Sequence, residues 1–185
     1  MLVADILGES SVNQTTYTIK TECSQFLQES GGLPVYRALP KTYNSFHRVK
    51  VRYHKRSDTV TEAFNSAFSK EAPNLIPRGV FGQSTIMEAT ADTDPFYIFP
   101  INGYRYFYSK GVQNSNLNFR DVMETLQDNI SGAFDITRDL IKYTYTNKNL
   151  VEGIHSGSEV IFFNIPYFYA VRVADFGNYN RLINR

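Results

Sequence analysis

The chain has 185 residues, enough to bury a core, and its 42% hydrophobic content with 14 Phe and 13 Tyr excludes the disordered class. Its 19 basic and 18 acidic residues leave a net charge of +1, so bulk charge does not point to nucleic acid or to an anionic membrane. The single cysteine, Cys23, excludes an intramolecular disulfide, and no apolar run approaches the roughly 18 to 20 residues of a spanning helix.

In chain order, Met1 to Gly8 carries Asp5 and no basic region, which does not read as a secretory signal. Residues 1–14 are polar and patternless, so a loose N-terminal arm is expected there, followed by a single α+β domain over 15–185. Thr21–Glu29 reads as a short helix with Cys23, Phe26 and Leu27 on one side, ended by Gly31-Gly32. Pro34–Leu39 reads as a strand closed by Pro40, and Val49–His54 alternates apolar with basic residues at the strand period. Ser57-Asp58-Thr59 reads as a helix start, followed by Val60, Ala63, Phe64, Ala67 and Phe68 at helical spacing, and Pro73 and Pro77 punctuate the exit.

Gly79–Gly82 suggests a short strand running into the corner Gln83-Ser84-Thr85. Phe96–Phe99 and Tyr104–Tyr108 read as strands joined by Pro100-Ile101-Asn102-Gly103, where Asn-Gly is a strong turn signal. From 118 to 143 the pattern is helical in two pieces, Phe119, Val122, Met123 and Leu126, then Phe134, Ile136, Leu140 and Ile141, with a break at Gly132. Glu159–Phe163 and Tyr167–Val173 return to strand. Without regular βαβ alternation, largely antiparallel pairing is expected.

Strong motifs are absent: no phosphate-binding glycine loop, no HExxH and no GxSxG occurs. His47, His54 and His155 have no metal-ligand spacing with one another or with Cys23, so no metal is expected. Cys23, inside a helix, reads as a small buried hydrophobe and not as a nucleophile. Asn129-Ile130-Ser131 matches a glycosylation sequon, read here as chance. Between Arg37 and Ser57 stand seven basic residues and no acid, with Tyr36, Tyr43, Phe46 and Tyr53 interleaved. Such a stretch fits phosphates and stacked bases, with Arg48, Lys50, Arg52, Lys55 and Arg56 as the contacts to nucleic acid; a solvated basic strand is the plainer alternative.

Three short pieces also follow one another in order: Leu33–Leu39 with Arg37, Val80–Thr85 with Ser84 and Thr85, and Gly157–Phe162 with Glu159. This layout resembles bacteriophage mono-ADP-ribosyltransferases, which modify host proteins. The resemblance covers roughly residues 25 to 172. It implies an ADP-ribosyltransferase-like split antiparallel β-sandwich with flanking helices and NAD as substrate, without a metal. In that likeness Arg37 grips the NAD pyrophosphate, Ser84 or Thr85 supports the site, and Glu159 is the catalytic acid that stabilises positive charge on the ribose. Tyr36, Phe81 and Tyr97 would complete the NAD site. The pattern departs from the family at Gly157, at Ala38 and at Gln83-Ser84-Thr85.

Gln25–Pro34, Arg52 with Arg56, and Phe99-Pro100 further resemble small tailed-phage proteins. The expected locations are then the host cytoplasm or the virion. The expected partners are a host acceptor protein or other virion proteins, with no membrane. Two other readings stand beside the enzyme: a non-catalytic virion structural or interaction protein, and a nucleic-acid-binding module using residues 37–57.

Overall fold

A computed structural model describes the backbone of residues 3–53, 58–73, 75–128, 132–176 and 179–184, with side chains outside residues 3–12, 77, 181 and 184. The chain is α+β and antiparallel, and it forms two compact units that interleave along the sequence. The first comprises residues 1–50, 85–104 and 165–185, and the second 51–84 and 105–164.

The first unit contains α1 (Val3–Glu22), α2 (Ser24–Glu29), β1 (Tyr36–Pro40), β2 (Phe46–Lys50), β4 (Thr93–Pro100), β8 (Tyr167–Arg172), α8 (Val173–Phe176) and α9 (Tyr179–Asn184). Its strands run in the order β2-β8-β4-β1, every pair antiparallel. The second unit contains α3 (Thr59–Ala67), α4 (Leu75–Arg78), β3 (Val80–Gln83), β5 (Arg105–Ser109), α5 (Ser115–Gln127), α6 (Ala133–Thr144), β6 (Tyr145–Thr146), α7 (Leu150–His155) and β7 (Glu159–Phe163). Its strands run in the order β3-β7-β5-β6, again antiparallel. Within each unit the strands make one sheet, where the sequence reading expected a split sandwich.

Residues 1–14, expected as a loose arm, belong instead to α1 from Val3 onward. Among its described side chains the buried ones are Thr15, Thr16 and Ile19, and two of these three carry hydroxyls, which gives no hydrophobic pattern. On its exposed side Thr18 and Thr21 bond the carbonyls of Gln14 and Tyr17 one turn back, at 3.0 and 2.9 Å. The chain breaks at Cys23, and Gly31 and Gly32 then end α2 with φ of 60° and 74°. Glu22, at the end of α1, accepts the hydroxyls of Tyr167 and Tyr169 on β8 at 3.0 and 2.9 Å. Those two bonds dock the helix on the sheet.

The basic strand begins earlier than its alternation suggested, at Phe46, and stops at Lys50. Register decides this: Phe46 faces Val171 and Lys50 faces Tyr167, which exhausts β8. His54, Lys55, Arg56 and Ser57 lie outside the described residues, as does the sequon at 129–131. The Asn102-Gly103 turn has the expected left-handed glycine, φ 90°, but the strands beside it pair elsewhere, β4 with β1 and β8, and β5 with β7 and β6.

In the second unit Asp58 caps α3 through the Thr61 amide at 2.8 Å. Val60, Ala63, Phe64, Ala67 and Phe68 are all buried, joined by Phe107, Phe119, Met123 and Phe163. Phe68 stacks on Phe107 at 4.3 Å and Phe107 on Phe163 at 5.2 Å, so rings supply this core. Helix α6 turns Ala133, Thr137 and Ile141 inward, one every four residues, and leaves Ile136 and Leu140 exposed. The sequence reading used Ile136 and Leu140, with Phe134 and Ile141, only as the apolar pattern of this helix. Two of the three inward residues, Ala133 and Thr137, are small, so the buried face of α6 is the less apolar of its two candidate faces.

Two predictions follow from this packing. A Cβ at Gly153 in α7 would stand 2.8 Å from the fully buried ring of Tyr108. Gly153→Ala should therefore destabilise the protein by about 1–3 kcal/mol in a urea titration, despite alanine's better helix propensity. Tyr179, stacked on Phe99 at 5.7 Å, has its hydroxyl pKa raised above the ordinary 10.0 by burial first and then by Tyr36 and Tyr97. A raised acid pKa stabilises the fold below the unfolded value and loses that contribution as pH climbs through the folded one. Melting temperatures should thus fall above about pH 10, and Tyr179→Phe should shallow that fall.

Candidate functional site

The candidate residues divide between the two units. Tyr36, Arg37, Thr85 and Tyr97 belong to the first, and Phe81, Ser84 and Glu159 to the second.

In the first unit, strand register sets Arg37 opposite Phe96, and Phe96 opposite Arg172, making one row across β1, β4 and β8. Arg37 is half-buried in that row. Its neighbour Tyr36 falls on the other face and meets Tyr97 at 5.3 Å between ring centroids. Tyr97 also contacts Tyr179 at 5.0 Å and is 4% exposed, so its ring is taken up within the unit. Burial raises the hydroxyl pKa of both Tyr36 and Tyr97. Thr85 is exposed in the bend after β3.

Arg172, on β8 of this sheet, has several charged and polar contacts. It lies 3.4 Å from Asp94 and 3.6 Å from Asp175, donates to the Lys41 carbonyl at 2.8 Å and also to that of Tyr43, and sits over Phe96. It holds the turn between β1 and β2 against β8, a structural task. Sequence reasoning missed it, because a lone arginine at a strand end carries no pattern.

In the second unit, β3 and β7 pair, so two of the three motif pieces do come together: Phe81 faces Ile161 and Gln83 faces Glu159. Glu159 is nevertheless only 7% exposed. Its side chain lies on the face of β7 shared with Ile161 and Phe163, the face covered by the helices. Gln83 Nε2 donates to one oxygen at 3.1 Å, and the Ser115 amide donates to the other at 3.0 Å, joined by the Ser115 hydroxyl. The Glu159 amide bonds the Val112 carbonyl at 2.7 Å, which draws the segment before α5 onto the strand. Asn114 caps the same helix through the Leu117 amide at 3.0 Å.

The hydroxyl on Glu159 is therefore that of Ser115, not of Ser84 or Thr85. Ser84 Oγ is buried and has no hydrogen-bond partner among the described residues. Phe81 packs against the ring core of its own unit. One oxygen of Glu159 is thus engaged by Gln83 on β3 and the other by Ser115 at the head of α5. Beside them Tyr145 is buried, and its hydroxyl pKa is raised by burial first and then by the charge of Glu159. Asn114-Ser115 ahead of an apolar period is a legible helix start; its link to Glu159, 44 residues away, is not.

A groove lined by Asp58, Val60, Arg120, Met123 and Gln127 encloses about 170 Å³. That is below the roughly 300–1,000 Å³ of a ligand pocket. Among the described residues no cluster of His, Cys, Asp and Glu is arranged to hold a metal ion. None of the described helices is long and apolar enough to cross a membrane. Cys23 is buried, its thiol pKa raised by burial first and then by Glu22, which makes it a poor nucleophile.

Two surfaces remain. Helix α6 exposes Ile136, Leu140 and Tyr143, at 42%, 38% and 86%, in one row along its outer side. Strand β2 exposes Arg48 and Lys50, with Arg52 just beyond it. No family model, no curated protein and no solved structure matches the chain.

The anchoring role of Glu159 is measurable. Ser115→Ala and Glu159→Gln should each lower the unfolding free energy by about 1–3 kcal/mol, and the double variant should cost less than their sum. Urea titrations of the four proteins check this.

Proposed function

We propose that this protein is a non-catalytic structural or interaction protein that assembles with copies of itself, using the outer face of α6. The row Ile136, Leu140 and Tyr143 carries the reading. Helix α6 already buries Ala133, Thr137 and Ile141 on its inner side, so folding of its unit leaves this second apolar row without cover. The flanking charges, Asp135, Arg138, Asp139 and Lys142, comprise two acids and two bases. A helix with balanced charge around an apolar row is complementary to itself across a two-fold axis. The likeness to small tailed-phage proteins is consistent with such a role in a virion. The use of Glu159 as a helix anchor supports a non-catalytic protein over the transferase reading.

Sedimentation velocity over a concentration series should show reversible self-association that Ile136→Glu with Leu140→Glu abolishes. A monomer at every concentration would overturn the proposal. In parallel, labelled NAD and a bacterial lysate should give no protein labelling. Label that requires Glu159 would replace this reading with the ADP-ribosyltransferase.

A further inference from the structure

The first unit's sheet ends on β2, and among the described residues that strand pairs only with β8. Its outer edge therefore presents backbone amides and carbonyls on the side away from β8. The charged side chains of the strand itself are of one sign, Arg48 and Lys50, and both are exposed. No acid occurs anywhere from Arg37 to Ser57. Of the carboxylates in this unit, Glu22 accepts from Tyr167 and Tyr169, and Asp94 lies 3.4 Å from Arg172 and 3.9 Å from Lys41.

A basic edge of this kind repels a second copy of itself, because pairing two such strands would oppose like charges. The same feature attracts an extended acidic segment, which can satisfy the open backbone groups and the cations together. Single-stranded nucleic acid is the rival for a basic surface with aromatics, but it needs free ring faces on which bases stack. Here the rings on β2 and those facing it each have one face occupied, while Tyr53, past the strand, is 57% exposed. Arg48 lies over Tyr167 at 3.6 Å, Phe46 stacks on Tyr169 at 5.1 Å, and Tyr43 stacks on His47 at 4.2 Å. What the strand itself offers a partner is chiefly backbone edge and positive charge.

We infer that β2 is a docking edge for an acidic, extended peptide segment of a partner protein, which adds as a further strand beside Phe46–Lys50. This inference does not depend on self-association through α6, which uses a different unit of the chain.

The test uses a fluorescent peptide of alternating Glu and Val, its Lys-Val counterpart and an oligothymidylate, each titrated against the full-length protein by anisotropy. The acidic peptide should bind, weaken with added salt, and slow amide hydrogen exchange selectively at residues 46–50. Lys50→Glu, at an exposed side chain, should weaken it roughly three- to tenfold, and Arg48→Glu with Lys50→Glu should abolish it. Circular dichroism of each variant checks that the fold is retained, and Lys50→Arg should bind as the parent does. Oligothymidylate binding without acidic-peptide binding would overturn the inference in favour of nucleic acid. Acidic-peptide binding without protection of 46–50, or no binding at all, would overturn it as well.

Discussion

Taking a carboxylate out of water is costly, by several kcal/mol for an ion left without donors, and the second unit is organised around meeting that demand at Glu159. The donors come from β3, through Gln83, and from the first residue of α5, through both the amide and the hydroxyl of Ser115. Bringing them there fixes where α5 begins. It also fixes how residues 112–115 approach β7, since the Glu159 amide holds the Val112 carbonyl. Once α5 starts at that point, Phe119 and Met123 fall on the ring core beside Phe64. One polar contact thus sets the register of an otherwise greasy layer, which apolar side chains alone specify loosely.

The first unit solves a related problem with a cation. Arg172 ends β8 and ties the turn after β1, with Asp94 and Asp175 supplying negative charge and two backbone carbonyls supplying acceptors. On the opposite face of that sheet, phenol hydroxyls directed at Glu22 attach α1. In both units, apolar rings provide area while a single charged group provides position.

Much of the fold was legible. Helix α3, the pair α5 and α6 with its break at Gly132, and strands β1, β3, β4, β5, β7 and β8 follow from period and punctuation, because their inward residues are apolar and regularly spaced. Helix α1 was not legible before Thr21, since two of the three buried side chains described in it are threonines. The orientation of α6 was not legible either, because hydrophobicity offers two candidate faces and the less apolar one is buried. The candidate site was legible in part. The resemblance implied that Ser84 or Thr85 supports Glu159, and β3 does pair with β7, but the Glu159 side chain is held by Ser115, a residue with no sequence mark linking it to β7. Whether a glutamate faces solvent or a helix head is set by strand parity and by what covers that face, and neither is a local property.

The buried carboxylate also bears on how the chain tolerates change. Gln83, Ser115 and Glu159 come from three separate stretches of sequence, and no single replacement keeps the set balanced: losing a donor strands a charge, and losing the acid strands donors. Sequence drift at these three positions is therefore coupled, so the triad should change together or not at all, while the exposed basic residues of β2 and the outer row of α6 stay free to diverge with whatever they meet.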